Sequence, residues 1–259
     1  MNKLDKKYNI LLPVKNEKLK RMGRNLDGGY VVDESISKNC KTLISFGLGD
    51  DWSFEKDYLK KNNDAKVYIY DHTVSIWPYL KDVIKILRRF LTFRENLKSL
   101  SERIKKLINY VKFINSKKIK FYKEKIVQGT INQVFSRVSS NEKVIIKIDI
   151  EGSEFEIIDE LSQVSGRVEM AIFEFHELDK NEKIFLSSIK KLQDKFTIVH
   201  LHGNNHCSQT LEGLPIALEM TLINKRYQSE KIDYIKKFPR DNLDYPNNPY
   251  KEDLAFYFE

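Results

Sequence analysis

Cysteine is scarce in this 259-residue sequence, and long apolar runs are absent from it. The two cysteines, Cys40 and Cys207, are too few for a disulfide framework and are wrongly spaced for a zinc site. No window contains the roughly 18 apolar residues that a membrane span requires. Residues 1–20 have no apolar region of secretory-signal length. We therefore expect a soluble, reduced, cytoplasmic protein without a transmembrane segment.

Basic residues are in excess, but most of the excess lies in one segment. The formal net charge is +8, and residues 75–120 alone contain 13 Lys and Arg against 3 Asp and Glu. The rest of the chain is therefore close to neutral, so the basic character belongs to this segment and not to the whole fold. Hydrophobic residues make up 41% of the sequence, which is enough for a substantial core.

Short β-branched runs alternate with helical stretches from residue 41 onward, which predicts a parallel sheet with crossover helices. The clearest run, Val144 to Asp149, is apolar nearly throughout, as a strand covered on both faces should be. The predicted strands are residues 43–46, 66–70, 119–127, 144–149, 168–175, 196–202 and 216–223, with a short edge strand at 254–258. We interpret residues 1–259 as one domain, in which residues 1–40 cover the cofactor and the substrate.

A long basic connection separates the second and third predicted strands, and we call residues 75–118 the insertion. Apolar residues recur at helical spacing over 79–91 and 97–113, with Lys and Arg between them, so we predict two amphipathic helices. The favoured interpretation is a solvated basic face on a helical lid, or a contact in a homo-oligomer. The alternative is an electrostatic trap for an anionic substrate or a membrane surface.

A glycine pair follows the first predicted strand. Gly47 and Gly49 allow a tight turn and a close approach of a bulky cofactor to the backbone. Asp71 follows the second strand, about 20 positions later, where an acidic side chain suits ribose hydroxyls. A dinucleotide fingerprint would place a third glycine where Trp52 stands. The pattern therefore favours a nucleoside cofactor without a pyrophosphate over NAD.

The fourth predicted strand leads into the strongest signal in the chain, KIDIEGSEFEII at residues 147–158. Asp149 and Glu151 lie at the carboxyl end of this strand, where open α/β sheets build their sites. Gly152 allows a turn into a helix. Glu154 suits either the first helical turn or the site itself.

This segment resembles the hallmark motif of the FkbM-type methyltransferases, a class I family that depends on S-adenosylmethionine and usually O-methylates sugars or small natural products. Four other segments are similar to that family: RNLDGGYVV (24–32), SFGLGDDWSFE (45–55), HLHGNNH (200–206) and LDYPNNP (243–249). The resemblance covers most of the chain. It implies an α/β fold of the class I methyltransferase (Rossmann-like) type, with a mostly parallel seven-stranded sheet, helices on both faces and an inserted helical segment.

The resemblance also implies roles for particular residues. Asp149 and Glu151 would face the sulfonium centre and the acceptor hydroxyl. Ser45 stands where class I methyltransferases often have an acidic residue, so Asp50 or Asp51 would take over the contact with the methionine amino group. The implied cofactor-binding residues are Phe46, Gly47, Gly49 and Asp50 for methionine, Asp71 for ribose, and His72, Gly129 and Thr130 for adenine.

Histidines at predicted strand ends are candidates for the base that takes the acceptor proton, because imidazole titrates near neutral pH. We rank His176 first, His202 second and Asp149 third, with Glu174 as a neighbouring carboxylate. For substrate recognition the candidates are Asp27, Tyr30, Asn204 and Asn205, since amide side chains both donate to and accept from hydroxyls.

Together these features predict an O-methyltransferase that acts on a sugar hydroxyl of a nucleotide-activated sugar or a surface-glycan precursor. The same carboxylates and one imidazole would suit Mg²⁺ or Mn²⁺, but no tight ligand spacing demands a metal, and we predict no dedicated metal site and no nucleic-acid partner. The alternatives are methylation of a small phosphorylated metabolite or of RNA, and a non-catalytic nucleoside-binding module.

Overall fold

The computed structural model describes residues 2–259. The strands are β1 Asn2–Lys3, β2 Leu19–Met22, β3 Tyr30–Asp33, β4 Thr42–Phe46, β5 Lys66–Tyr70, β6 Ile119–Tyr122, β7 Val144–Ile148, β8 Val168–Phe175, β9 Phe196–Gly203, β10 Leu218–Asn224, β11 Lys237–Phe238 and β12 Phe256–Tyr257. The α-helices are α1 Glu34–Asn39, α2 Ser53–Lys61, α3 Trp77–Leu91, α4 Leu97–Ile114, α5 Ile131–Ser136, α6 Ile158–Val164 and α7 Leu178–Gln193.

Seven strands form one sheet in the order β6-β5-β4-β7-β8-β10-β9. The pairs from β6 to β8 are parallel, and β10 runs antiparallel to both β8 and β9. This order and the single reversed strand are those of the class I methyltransferase fold, so the predicted fold class is confirmed. Strand order reverses beside β4, because β5 lies on one side of it and β7 on the other, and sheets of this kind bind ligands at such a point.

Two apolar cores cover the two faces of the sheet. One contains residues of α5, α6 and α7, and the other contains residues of α1, α2 and the two long helices α3 and α4. All five residues of β7 are buried, which explains why four of them are apolar. Two of the described α-helices begin with a side-chain cap: the carboxylate of Asp33 accepts from the backbone N–H of Ile36 at the start of α1, and the side-chain oxygen of Asn96 accepts from the N–H of Ser99 at the start of α4.

Some elements differ from the sequence prediction. The third sheet strand ends at Tyr122, because the chain leaves the sheet there and lines the edge of a cavity. The predicted edge strand at 254–258 does not join the main sheet; β12 pairs with β1 and β11 in a separate three-stranded sheet. The β2–β3 hairpin was not predicted; its buried residues pack in a core shared with strands distant in sequence, and β3 contacts β8 and β10.

The insertion forms the two helices α3 and α4, which lie between β5 and β6 in the chain. Trp52, after β4, anchors them: its ring packs against Tyr79, Tyr110 and Phe113. Within residues 2–259, none of the helices has the length and apolarity needed to cross a membrane.

Candidate active site

A cavity of about 300 Å³ opens at the carboxyl ends of the parallel strands. Its walls come from the loops after β4, β5, β6 and β7, which surround the point where strand order reverses, and from the turn before β3. We call it the active-site cavity. Its lining includes Arg24, Asp27, Gly28, Gly47, Gly49, Asp50, Asp51, Asp71, His72, Glu124, Lys125, Lys147, Asp149 and Glu151.

The structural constraints at Gly47 and Gly49, the two glycines of the loop after β4, differ. Gly47 has φ +76°, and a Cβ there would lie 1.7 Å from the backbone oxygen of Asp149. Gly49 has φ +60°, and a Cβ there would meet no atom within 4 Å. Gly47 is thus required by the close approach of two loops, whereas Gly49 faces open space in the cavity.

Asp71 joins the loop after β4 to the loop after β5. Its Oδ2 accepts from the backbone N–H groups of Leu48 and Gly49 at 2.8 and 3.1 Å. Its Oδ1 accepts from the N–H and hydroxyl of Thr73 and from the N–H of Val74. Burial alone would raise the pKa of Asp71, but these hydrogen bonds outweigh it and lower the pKa. A ribose would have to share a carboxylate that already accepts five hydrogen bonds.

A buried lysine lies behind the glycine loop. The ammonium of Lys147 donates to the backbone oxygen of Gly47 at 2.8 Å and lies 3.4 Å from Oδ2 of Asp149. Burial would lower the pKa of Lys147, but the charges of Asp149 and Glu55 outweigh it and raise the pKa. Glu55 is itself buried and accepts from the hydroxyl of Ser45 at 2.6 Å. The sequence analysis did not identify Lys147 as a site residue. Its signal was a single lysine in an otherwise apolar strand, because a buried charge needs a partner of opposite charge.

Asp149 is held by a buried tyrosine. The hydroxyl of Tyr30 donates to Oδ2 of Asp149 at 2.8 Å and lies 3.2 Å from Oε2 of Glu174. Burial, followed by the charges of those carboxylates, raises the pKa of Tyr30 well above its usual value, so the hydroxyl keeps its proton. Burial also raises the pKa of Glu174 well above its usual value, and the charges of Asp149 and Glu219 add to the effect.

His176 is surrounded by carboxylates. Its Nδ1 lies 3.0 Å from Oε1 of the buried Glu154, and its Nε2 lies 3.6 to 3.9 Å from oxygens of Glu151, Glu174 and Asp149. Burial would lower the pKa of His176, but the hydrogen bond to Glu154 and the neighbouring negative charges outweigh it and raise the pKa to about 9. At neutral pH this imidazole therefore carries a proton, which it must lose before it can act as a base.

The cluster around His176 could bind a cation. One ligand atom from each of Asp149, Glu151 and His176 lies within 4.8 Å of the others. Two carboxylates with one imidazole form a donor set that suits a divalent cation. A cation bound there would have to displace the proton that His176 carries at neutral pH.

His202 lies away from the cavity. It is fully buried in β9, with Nδ1 3.2 Å from Glu219 and Nε2 3.1 Å from Asp253. Burial would lower its pKa, but the charge of Glu219 and the hydrogen bonds to both carboxylates raise it well above the usual value. The antiparallel β10 separates β9 from β8. His202 is buried and lies two strands away from β8 in the sheet, and both facts argue against His202 as the base.

The other predicted residues fall into two groups. Asp27, Asp50 and His72 line the cavity, and their contacts with ligands stay predictions. Asn204 donates to Oε1 of Glu174 at 2.6 Å, which places it behind the site.

Four further predicted residues are absent from the cavity wall, in addition to Tyr30, Glu174, His176, His202 and Asn204. Asn205 donates to backbone oxygens of residues 248, 251 and 252, so its amide organises a loop. The Gly129 N–H donates to the carboxylate of Glu160, and the Thr130 hydroxyl donates to the backbone oxygen of Val127. Phe46 is buried, with its ring edge-on to Tyr70. On this side the cavity wall is formed by residues 124–126, which precede Gly129 and Thr130 in the chain.

No protein-family model matches this sequence, and no curated protein matches it. Solved structures with a similar arrangement include the Methanococcus jannaschii fibrillarin pre-rRNA processing protein, at 12% identity and a TM-score of 0.39 over 73% of this chain and 68% of that one. Precorrin-6y C5,15-methyltransferase from Geobacter metallireducens has 13% identity and a TM-score of 0.34, over 73% and 85%. WbdD has 12% identity and a TM-score of 0.40, over 81% and 40%.

Proposed function

We propose that this chain is an S-adenosylmethionine-dependent O-methyltransferase of the FkbM type, and that its acceptor is a sugar hydroxyl of a nucleotide-activated sugar or a surface-glycan precursor. The fold alone would accommodate other nucleoside ligands, since one fold hosts many functions. The choice among them rests on the charge of the active-site cavity.

Acidic side chains dominate the cavity wall, and this observation carries the proposal. Seven lining residues are carboxylates and three are Lys or Arg, so the wall is net negative: Asp27, Asp50, Asp51, Asp71, Glu124, Asp149 and Glu151 against Arg24, Lys125 and Lys147. A phosphate-bearing cofactor such as NAD would meet repulsion there. S-adenosylmethionine has no phosphate and carries a sulfonium cation, so its charge complements the wall. The cofactor supplies an already activated methyl group when it is bound.

The chain's own residues then need to align the acceptor and take its proton. Asp149 lines the cavity and is fixed on one side by Tyr30 and Lys147. His176 carries a proton at neutral pH. We therefore place Asp149 before His176 as the base, which reverses the order proposed from the sequence. In this arrangement Tyr30 is a positioning residue, because its hydroxyl reaches the cavity only through Asp149.

A hydroxyl-rich acceptor fits the remaining side chains. Asp27, Glu151 and the protonated ring of His176 supply acceptors and a donor around Asp149. The acidic wall would admit the sugar of a nucleotide-activated acceptor, whereas its phosphate, which the wall would repel as it repels that of NAD, would stay outside the cavity. Residues 24–28 close one side of the cavity, in keeping with the covering role proposed for residues 1–40.

Cofactor binding is the first expected result. In calorimetry, S-adenosylmethionine or its demethylated product should bind at micromolar strength, on the order of −8 kcal/mol. NAD should show no measurable binding because of the acidic wall. Binding of NAD without binding of S-adenosylmethionine would overturn the proposed function.

The acceptor is tested separately. Mass spectrometry of surface glycans from the native host should show a sugar methyl group that disappears when this protein is removed. Its attachment site would identify the acceptor position. Unchanged glycans together with a methyl group lost from RNA or from a small metabolite would refute the sugar acceptor while leaving the cofactor assignment in place.

A further inference from the structure

The insertion has an apolar surface whose residues the described chain leaves 38–98% exposed. On α3, Ile84, Leu87 and Leu91 are exposed at positions i, i+3 and i+7, and so share one face. On α4, Leu97, Ile104 and Ile108 are exposed at i, i+7 and i+11. Other residues of the two helices pack inward, namely Tyr79 of α3 and Leu100, Tyr110 and Phe113 of α4. The two helices therefore have more apolar side chains than they use in packing against the rest of the chain.

The turn between the two helices presents an aromatic ring to solvent. Phe93 is 98% exposed and has φ +57°, a conformation that usually requires glycine at the end of a helix. Leu91, two residues earlier, is 68% exposed. A bulky apolar residue at this position increases both backbone strain and exposed apolar surface. Neither the strained backbone at Phe93 nor the exposed apolar surface improves the packing of α3 against α4.

Cations border the apolar face of α3. Lys81, Lys85, Arg88, Arg89 and Arg94 line a shallow concavity of about 600 Å³ together with Ile84. Arg89 pairs with Glu95 at 3.6 Å. Within residues 2–259, the other four have no carboxylate within 4.0 Å of their charged nitrogens. None of the five lines the active-site cavity, so these charges are not placed to hold a substrate there.

We propose that the insertion binds the surface of a bilayer that contains anionic lipid. The exposed residues around Leu91 and Phe93 enter the interfacial layer, while the cations of α3 contact the headgroups. Charge decides between this partner and a second copy of the chain, because a twofold contact through α3 would bring the same cations together. The exposed stripe is mostly aliphatic, which suits lipid and offers little for base stacking. The proposal is independent of the methyltransferase function.

Vesicle co-sedimentation tests the proposal with the full chain. Phosphatidylcholine vesicles with about one third phosphatidylglycerol should bind the protein, and pure phosphatidylcholine vesicles should bind it far less. Added salt should weaken the binding, because it screens the charges. Lys85→Glu with Arg88→Glu should reduce partitioning roughly tenfold or more. Leu91→Ser with Phe93→Ser should reduce it to a similar extent without any change of charge.

A matched control uses α7. Lys183 and Lys190 are exposed there, so Lys183→Glu with Lys190→Glu makes the same change of charge outside the insertion. This pair should retain wild-type partitioning, and circular dichroism should show that every variant is folded. Equal loss in the control, no effect of the two serine substitutions, or no binding to the anionic vesicles would overturn the proposal. Tighter binding to RNA at the same ionic strength, or a dimer that the serine substitutions dissociate, would identify another partner and also overturn it.

Discussion

Replacing Asp149 with asparagine is expected to lower methyl-transfer turnover by about 10²–10⁴-fold, the range for loss of a general base. Asparagine has nearly the same shape, and its carbonyl oxygen can still accept the hydroxyl of Tyr30, now 2.8 Å from the carboxylate. The substitution therefore removes the proton acceptor while disturbing the cavity little. Turnover should be measured at saturating S-adenosylmethionine, with cofactor affinity followed by calorimetry and expected to change much less than the rate.

Asp194→Asn is the matched control for this substitution. Asp194 is exposed at the end of α7 and lies outside the cavity wall, so the same loss of one carboxylate charge should leave turnover unchanged. Retained turnover in Asp149→Asn would refute Asp149 as the base. If His176→Asn then abolished turnover, and the wild-type rate rose as pH passed through about 9, His176 would be the base, since its neutral form predominates only above that pH.

Replacing Gly47 with alanine is expected to destabilise the protein by at least about 3 kcal/mol, through backbone strain and overpacking together. The new Cβ would lie 1.7 Å from the backbone oxygen of Asp149, so β4 and β7 would have to separate at the cavity. That movement would also break the hydrogen bond from the Asp149 N–H to the oxygen of Phe46, now 3.0 Å long. Denaturant unfolding measures the loss.

Gly49→Ala is the matched comparison. Gly49 also has a positive φ, but a Cβ there would meet no atom within 4 Å, so only the cost of the left-handed conformation remains, about 1–2 kcal/mol. Equal destabilisation by the two substitutions would show that the contact between the β4 loop and Asp149 is not what requires glycine at position 47. A stable Gly47→Ala protein would contradict the close approach itself.

The position of Asp149 could be predicted from the sequence because it depends on one strand. The apolar run at 144–148 can be satisfied only by a strand covered on both faces, and the carboxyl ends of parallel strands meet at one edge of the sheet. The carboxylates that follow this strand therefore had to lie at that edge. The same reasoning predicts the position of Asp71, which directly follows the parallel strand β5. The sequence did not indicate that its oxygens would be occupied, because five donors from two loops meet them only after folding.

The ranking of the histidines depended on strand order, which local pattern does not reveal. His176 and His202 both lie at strand ends in similar apolar surroundings. In the folded sheet β10 lies between β8 and β9, and Glu219 of β10 pairs across to both Glu174 and His202. One antiparallel strand thus moves His202 away from Asp149, and its neighbouring carboxylate provides a buried partner for the ring.

For the insertion, too, some features follow from the sequence and others are determined only by the tertiary structure. Its helices and its positive charge follow from apolar spacing and composition, which are local properties of the chain. Which apolar residues are covered was decided by tertiary contacts. Trp52 packs against Tyr79 and Tyr110 and buries one face, and no described residue reaches Leu91 or Phe93 closely enough to cover them. Spacing along a helix determines that an apolar face exists, but burial of that face requires a partner surface, which only the folded arrangement supplies or withholds.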